Sequence, residues 1–545
     1  MGVMAKVETS LKGGKHRDIP ENSSGLGGCT KMSLVIVVAC LCSCIYALSL
    51  ASISSKPCWS SLKSCESRVC EGGNVSTWRG IGGRSSRTLQ SQSVAVVKSP
   101  AMSKREALTS PPQSRIPPVA PATHVRLKRR NTSLSHIVFG IAASANLWKS
   151  RKHYVKEWWK PGKMRGYVWL EEPVKNETGW GVDVPLAQIS ANTSQFKYTH
   201  KVGSRSAIRL ARIVTEMYRF KLPKVDWFVM GDDDTIFFTD NLVRMLSKYD
   251  PTKMYYIGSQ SESHWQNTEF SYGMAYGGGG FAISFPLAKA LSRMQDDCLH
   301  RYPQLFGSDD RMHACITELG VPIIKNRGFH QFDIFGDPLG LMAAHPLTPL
   351  LSIHHLDVIA PIFPNMTKLG AVQRLMKAAK VEQASMLQQT IVYGRHRKYS
   401  FSISAGFVVR AYNGFVPPLE LEEVPRTFRS WYGDTARSHF PFNTREFPTD
   451  ICKQPTLFYV HNRTSKRTSE ELIETIYMKE NLPARNSTAC DTKLNQVQKI
   501  LVRSQRLNYA WFESRSLCGK VASWRNGTID ILVKPCEEDE LIIGN

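Results

Sequence analysis

Trp227-Phe-Val-Met-Gly-Asp-Asp-Asp-Thr-Ile-Phe-Phe238 sets three carboxylates directly behind an apolar run. Adjacent Asp side chains repel one another unless a cation or several donors compensate them. Hard divalent ions such as Mg²⁺ and Mn²⁺ suit carboxylate oxygens, commonly one or two of them alongside phosphate oxygens of a substrate. The competing role for such a triplet is an Asp-rich turn that caps the next helix. The apolar run ahead and the aromatic run behind favour the ligand role for Asp232, Asp233 and Asp234.

Three later segments carry further chemistry. Tyr276-Gly-Gly-Gly-Gly-Phe-Ala-Ile-Ser284 contains Gly278 and Gly279, where a missing Cβ lets the backbone approach a ligand. No Gly-Lys-Ser/Thr follows, so the run is not a P-loop. Phe306-Gly-Ser-Asp-Asp-Arg-Met-His-Ala-Cys315 begins a helix that continues to Leu319; Asp309 and Asp310 are either its caps or a general base at a cleft mouth. Leu351-Ser-Ile-His-His-Leu-Asp357 pairs two histidines with a carboxylate, and a neutral imidazole can complete a metal site begun by carboxylates. His330 is a weaker candidate of the same kind.

These groups need a frame. His136-Ile-Val-Phe-Gly-Ile141 and Arg165-Gly-Tyr-Val-Trp-Leu170 read as buried strands. Between them Tyr154, Trp158 and Trp159 mark a helix that Pro161 ends. Leu210, Val214 and Met217 share a face of a helix predicted over 205–220, with Arg209 and Arg212 assigned to its solvated side. Val225–Met230 then forms an apolar strand running into the triplet. Strand, helix, strand order predicts an α/β sheet covered on both faces, with ligands beyond the carboxyl ends of its strands. From about residue 385 short strands broken by Pro and Gly predict a β-rich extension.

The 545 residues exceed what one compact domain needs. From Met32 to Ser55 no residue is charged, a length that spans ~30 Å of hydrocarbon. Lys6, Lys12, Lys15, Arg17 and Lys31 precede it and favour a cytosolic N-terminus. Residues 56–134, rich in Ser, Arg, Pro and Gly, read as a flexible stem ending near Arg126-Leu-Lys-Arg-Arg130. Eight Asn-x-Ser/Thr sequons follow the apolar run, at Asn74, Asn131, Asn176, Asn192, Asn365, Asn462, Asn486 and Asn526. They agree with exposure to the secretory lumen, as does an even set of six cysteines: Cys298, Cys315, Cys452, Cys490, Cys518 and Cys536. The net charge of +24 suits anionic partners, but no zinc-finger spacing or nucleic-acid motif accompanies it, so no nucleic-acid partner is expected. The expected layout is a cytosolic tail 1–31, signal anchor 32–55, stem 56–134, α/β domain 135–384 and β-rich extension 385–545.

In their order, these motifs resemble the fringe-related β1,3-glycosyltransferases of glycosyltransferase family 31, and the plant fringe-like branch in particular. The resemblance covers about residues 135–370, from Asp232-Asp233-Asp234 through the glycine run and Ser308-Asp309-Asp310 to His354-His355-Leu356-Asp357. It implies a GT-A fold, a Rossmann-like mixed sheet with flanking helices, and inverting transfer from a UDP-sugar to a glycan or glycoprotein hydroxyl. It implies a manganese or magnesium ion held by Asp234, with Asp232 or a water on it contributing, and by His355 as second protein ligand. Asp232 and Asp233, with Gly278 and Gly279, would meet the sugar nucleotide, and Asp310, ahead of Asp309, would be the base. It further implies a Golgi enzyme of single-pass type II topology. Two features depart from fringe proper: Arg311-Met-His-Ala follows the Asp pair, and about 44 residues separate Asp310 from His355. The alternatives are a catalytically silent sugar-nucleotide-binding or scaffold protein of the same fold, and a metal-dependent phosphohydrolase. Donor sugar, acceptor, disulfide pairing and oligomeric state are not legible in the residues.

Overall fold

The structure, a computed structural model, describes residues 132–543 apart from 177–179, 345–348, 432–435, 467–471, 481–492 and 508–516. The expected tail, anchor and nearly all of the stem lie outside the described residues. Among those described, no helix is long and apolar enough to cross a membrane.

Strands β1 (Ile137–Ala142), β2 (Arg165–Leu170), β3 (Leu186–Ile189) and β4 (Trp227–Asp232) run parallel in the order β3-β2-β1-β4. A two-residue β5 (Ile236–Phe237) follows the Asp triplet. The sheet continues through β6 (Tyr256–Gly258), β7 (Phe281–Ser284) and β8 (Ile323–Lys325): β7 joins β4 antiparallel, β6 joins β7, and β8 closes the edge parallel to β6. Seven strands thus form a mixed sheet.

The near-continuous apolar character of β1 and β4 follows from burial on both faces. Side chains of a strand alternate, so Trp227 and Val229 enter one core with Phe139, Trp158 and Phe237. Phe228 and Met230 enter the other with Val138, Leu210, Val214 and Met217. The first core is covered by the helix Ala145–Lys156, the second by the helices Ser206–Ala211, Ile213–Arg219 and Phe285–Arg301.

The single helix predicted over 205–220 is two helices that meet at Arg212. Its arginines do not face solvent either: Arg209 is 8% and Arg212 3% exposed. Arg209 donates to the carbonyls of Trp169 (2.9 Å) and Ala143 (3.0 Å), tying together the ends of β1 and β2. Arg212 pairs with Asp296 at 2.9 Å and with Glu216 at 3.5 Å. Trp169, Ala143 and Asp296 come from other elements, which a helical periodicity cannot reveal.

Past β8 the chain forms β9 (Phe329–His330), β10 (Ile334–Gly336) and β11 (Ser352–Ile353). β11 pairs with β5 and β9, so the histidines after β11 return beside the Asp triplet. The helix Lys368–Val381 leads to β12 (Gln389–Tyr393), β13 (Tyr399–Ser404) and β14 (Val408–Asn413). Then come β15 (Val424–Arg426), β16 (Phe428–Ser430), β17 (Thr444–Glu446), β18 (Thr456–Lys466), β19 (Leu472–Lys479), β20 (Lys499–Gln505), β21 (Leu517–Arg525) and β22 (Thr528–Pro535).

Eight of these build one sheet, β12-β13-β14-β18-β19-β20-β22-β21, antiparallel except for β20 and β22. Its edge strands come together, since a Cβ on Gly519 would lie 2.5 Å from the Val392 side chain. The sheet is therefore strongly curled.

The expected division near residue 385 is crossed by β16, which pairs antiparallel with β10. Beside that pair, Thr427 Oγ1 donates to Asp337 O (2.7 Å) and accepts from Gly340 N (2.9 Å). Cys298–Cys315 joins the helices Phe285–Arg301 and Ser308–Glu318, and Cys518–Cys536 joins β21 to the end of β22. Cys452 is also disulfide-bonded, and Cys490 lies outside the described residues.

A Cβ on Gly340 would fall 1.7 Å from Pro425 O, a backbone atom that cannot step aside. Gly340→Ala is expected to cost roughly 1–3 kcal/mol by overpacking, seen by calorimetry as a melting temperature several degrees lower.

Candidate functional site

The Asp triplet sits where β4 ends and turns into β5. Asp233 N donates to Ala142 O at 3.0 Å, and Asp232 N to Thr235 Oγ1 at 2.7 Å. Thr235 Oγ1 donates in turn to Gly278 O at 2.7 Å. All three carboxylates are buried, Asp234 completely.

His354 reaches them from the end of β11. Its Nε2 lies 3.2 Å from Asp234 Oδ1 and 3.4 Å from Asp232 Oδ2. Asp232, Asp234 and His354 can each offer one atom to a shared point, these atoms lying within 4.8 Å of one another. The donor set fits a hard or borderline divalent cation. Asp232 Oδ1 is buried without a hydrogen-bond partner, an oxygen that such an ion would satisfy. His354 Nδ1 donates to Gln331 O at 3.2 Å, so Nε2 is the ring nitrogen that faces the carboxylates, as a donor to them when protonated or as a ligand when a cation takes that proton's place. Burial opposes a charge on His354, but Asp234 and Asp232 raise it well above the ordinary histidine range.

The expected ligand His355 is turned elsewhere. Its Nδ1 lies 3.4 Å from Asp333 Oδ1, and its ring stacks on Trp431. His355 has φ +59°, and this left-handed residue turns the chain so that the two imidazoles aim differently. The structure gathers His354, not His355, with the aspartates. His330 bonds Glu262 Oε1 through Nδ1 at 2.9 Å, and Glu262 Oε2 accepts from Phe332 N at 2.6 Å.

The glycine run makes room for side chains. A Cβ on Gly278 would lie 2.2 Å from the His354 ring, and one on Gly277 would lie 2.5 Å from Asp309 Oδ1. Gly279 is pressed against the His330–Gln331 backbone, and its N–H donates to Gln331 Oε1 at 2.6 Å. The close approach expected at Gly278 and Gly279 is thus to the protein's own residues.

The Asp pair divides its labour. Asp310 accepts from the backbone N–H groups of Phe306 (2.7 Å), Gly307 (2.9 Å) and Arg311 (2.8 Å). It caps the helix Ser308–Glu318, a structural task for the residue expected to be the base. Asp309 accepts from Gly277 N at 2.9 Å and from Ser308 Oγ at 3.0 Å. It lines a small cavity with Asp232, Gly231, Gly277 and Met312. Burial, reinforced by Asp232, raises its pKa to about 6 against the Gly277 hydrogen bond.

Arg151, absent from the sequence expectations, is the cation that meets the triplet. It lies 3.0 Å from Asp233 Oδ1, 3.3 Å from Asp234 Oδ2 and 2.8 Å from Asp357 Oδ2. Burial alone would lower its pKa, yet Asp234, Asp233 and Asp357 raise it further above its already high value. The same burial raises Asp233 to about 8, opposed chiefly by Arg151, and Asp357 to about 7, reinforced by Asp234. Asp234, though buried, is held well below the usual carboxylate range by His354 and Arg151. A signal was present in the sequence: Arg151 shares the helical spacing of Trp148 and Val155, on the face that turns inward.

Comparison with known proteins accords with this arrangement. Residues 132–335 match a family model described as Fringe-like. The chain carries a fringe-related domain. Residues 266–518 match a second model, described as a protein of unknown function, DUF604, which overlaps the first over 266–335. A mouse β-1,3-glucosyltransferase is 30% identical over 108 residues, 20% of this chain and 21% of that enzyme. The chain thus spans about a fifth of that relative's length. A crystal structure of mouse xyloside xylosyltransferase 1, apo form, aligns over 35% of this chain and 84% of its own at 10% identity. Its TM-score of 0.25 is too low to specify a shared fold.

Removing the internal cation should leave the carboxylates more negative. Arg151→Gln is expected to lower the melting temperature of metal-free protein and tighten Mn²⁺ binding, on the order of tenfold. Calorimetry and isothermal titration with Mn²⁺ check the two effects; weaker Mn²⁺ binding would contradict the countercation role.

Proposed function

We propose that this chain is an inverting glycosyltransferase that uses a divalent cation. It would move a sugar from a UDP-sugar to a hydroxyl of a glycan or glycoprotein acceptor, in β1,3 linkage, on a GT-A type domain. The observation that carries the proposal is the convergence of Asp232, Asp234 and His354 beyond the carboxyl end of β4, beside Asp309. The Fringe-like match over residues 132–335, which takes in Asp232, Asp234 and Asp309 but not His354, supports it.

Asp232, Asp234 and His354 would hold Mn²⁺ or Mg²⁺. When bound, the ion supplies Lewis-acid neutralisation of charge on a diphosphate. Asp233 is kept by Arg151 on the opposite side of the triplet, where it can accept from a sugar or ribose hydroxyl. Asp309 is the base: it takes the proton from the acceptor hydroxyl while that oxygen attacks the anomeric carbon from the face opposite the departing UDP. The bond to the diphosphate breaks as the new glycosidic bond forms, which inverts the configuration. A base so positioned contributes roughly 10²–10⁴ in rate.

A secretory-lumen location in Golgi membranes, with a type II anchor at 32–55, accompanies this function. Asn176, Asn192, Asn365, Asn462 and Asn526, the sequon residues among those described, are all exposed. The disulfides Cys298–Cys315 and Cys518–Cys536 fit the same oxidising compartment. A second proposal, a silent sugar-nucleotide-binding protein, is favoured by one observation: Arg151 already compensates part of the triplet. Metal-dependent sugar transfer in a panel of UDP-sugars and acceptors distinguishes the two.

Asp234→Ala should abolish metal-dependent UDP binding in a calorimetric titration; unchanged affinity and turnover would sink the cation assignment. Asp309→Asn should spare UDP binding and reduce kcat by roughly 10²–10⁴. Asp310→Ala should instead cost about 1 kcal/mol of stability through the lost cap.

The pH dependence follows from Asp309. Its raised pKa keeps it protonated, and useless as a base, at pH values where an ordinary Asp is already ionised. The rate should therefore fall as pH drops through about 6. A pH–rate profile flat from pH 7 to pH 5 would exclude Asp309 as the base.

A further inference from the structure

The cation site depends on a ring supplied from far downstream. Strand β16 lies against β10 in the register Ile334↔Ser430, Phe335↔Arg429, Gly336↔Phe428. The next residue, Trp431, inserts between two rings of the α/β part. Its ring stacks on Phe335 at 4.2 Å and 13°, and on His355 at 4.8 Å and 7°. His355 in turn lies 3.7 Å from the ring of His354. Four rings thus form a column whose last member faces Asp232 and Asp234.

Both faces of Trp431 are taken, so it is not a platform for a sugar ring. What needs holding is the chain around it. His355 adopts φ +59° and Phe332 φ +58°, left-handed values that cost non-glycine residues energy and persist only when the surroundings enforce them. His355 has weak polar anchorage, a 3.4 Å approach of Nδ1 to Asp333 Oδ1. Asp333 is itself engaged by Ser261 Oγ at 2.6 Å. The flat contact with Trp431 is the large one available to the His355 ring. Below it, Ser430 Oγ meets Ser263 Oγ at 3.3 Å, so Trp431 leaves a fixed strand end.

We propose that Trp431 is a positioning residue for the cation site. It clamps His355 in its left-handed conformation and thereby aims His354 at Asp232 and Asp234. The inference rests on the cation role proposed for those three residues. It assigns the β-rich half a part in the site itself.

The test uses the full chain with Trp431→Leu, which keeps apolar volume without a flat face, and Trp431→Phe, which keeps the face. Binding of Mn²⁺ alone is titrated by electron paramagnetic resonance, with melting temperatures recorded alongside. Partners that orient a metal-bound histidine are worth about 10–100-fold in affinity. Trp431→Leu should bind Mn²⁺ at least about tenfold more weakly, and Trp431→Phe within about threefold of wild type, even where both lose similar stability. Wild-type affinity in Trp431→Leu would overturn the proposal while leaving the cation site standing. Equal losses in the two variants would overturn it too, as a packing effect only. Wild-type protein that binds no Mn²⁺ would overturn the cation role and this inference with it.

Discussion

Four carboxylates share the end of one strand, and keeping them there without mutual repulsion is the constraint around which the molecule is organised. Asp232, Asp233 and Asp234 are buried, and Asp357 joins them from beyond β11. Isolated ionised carboxylates in such surroundings would cost several kcal/mol each. Arg151 and His354 offset that cost from opposite sides, and Asp234 is shared between them. Arg151 and His354 bring the compensating charge, and the glycine run leaves the space for His354.

This accounts for sequence features that looked separate. The glycine run is needed because His354 and Asp309 occupy the volume its side chains would fill. The inward spacing of Arg151 places a cation on the otherwise largely apolar face of its helix. The tie from Arg209 to the carbonyls of Ala143 and Trp169 fixes the ends of β1 and β2, and so the turn into the helix that carries Arg151. A divalent ion arriving at Asp232, Asp234 and His354 would enter a site already partly neutralised by Arg151.

The frame was legible because β1, and β4 as far as Met230, carry near-continuous apolar residues, the pattern of strands buried on both faces. The triplet was legible for the same reason, since a strand so buried must end somewhere polar. Choosing between neighbours was not. His354 and His355 are adjacent, and a left-handed turn at His355 decides which imidazole points at the carboxylates. Asp309 and Asp310 are likewise adjacent, and the helix start gives the cap to Asp310 by hydrogen bonds to three backbone N–H groups. Identity and spacing cannot resolve a one-residue difference in direction. The docking of β16 on β10 was beyond reach because its partners lie roughly 90 residues apart and carry no shared pattern.

That docking has a consequence in time. During synthesis the strand that bears the triplet is made about 200 residues before Ser430, the β16 partner of Ile334. At typical elongation rates this is an interval of roughly 10–40 s. Through roughly the second half of it, once β10 and His355 have been made, β10 has an open edge and the ring of His355 lacks its cover, while the helices and central sheet can already have formed. The nascent chain therefore passes through a stage with a built sheet and an unfinished centre. It is at this stage that chaperones of the compartment would meet an exposed strand edge and an uncovered aromatic face.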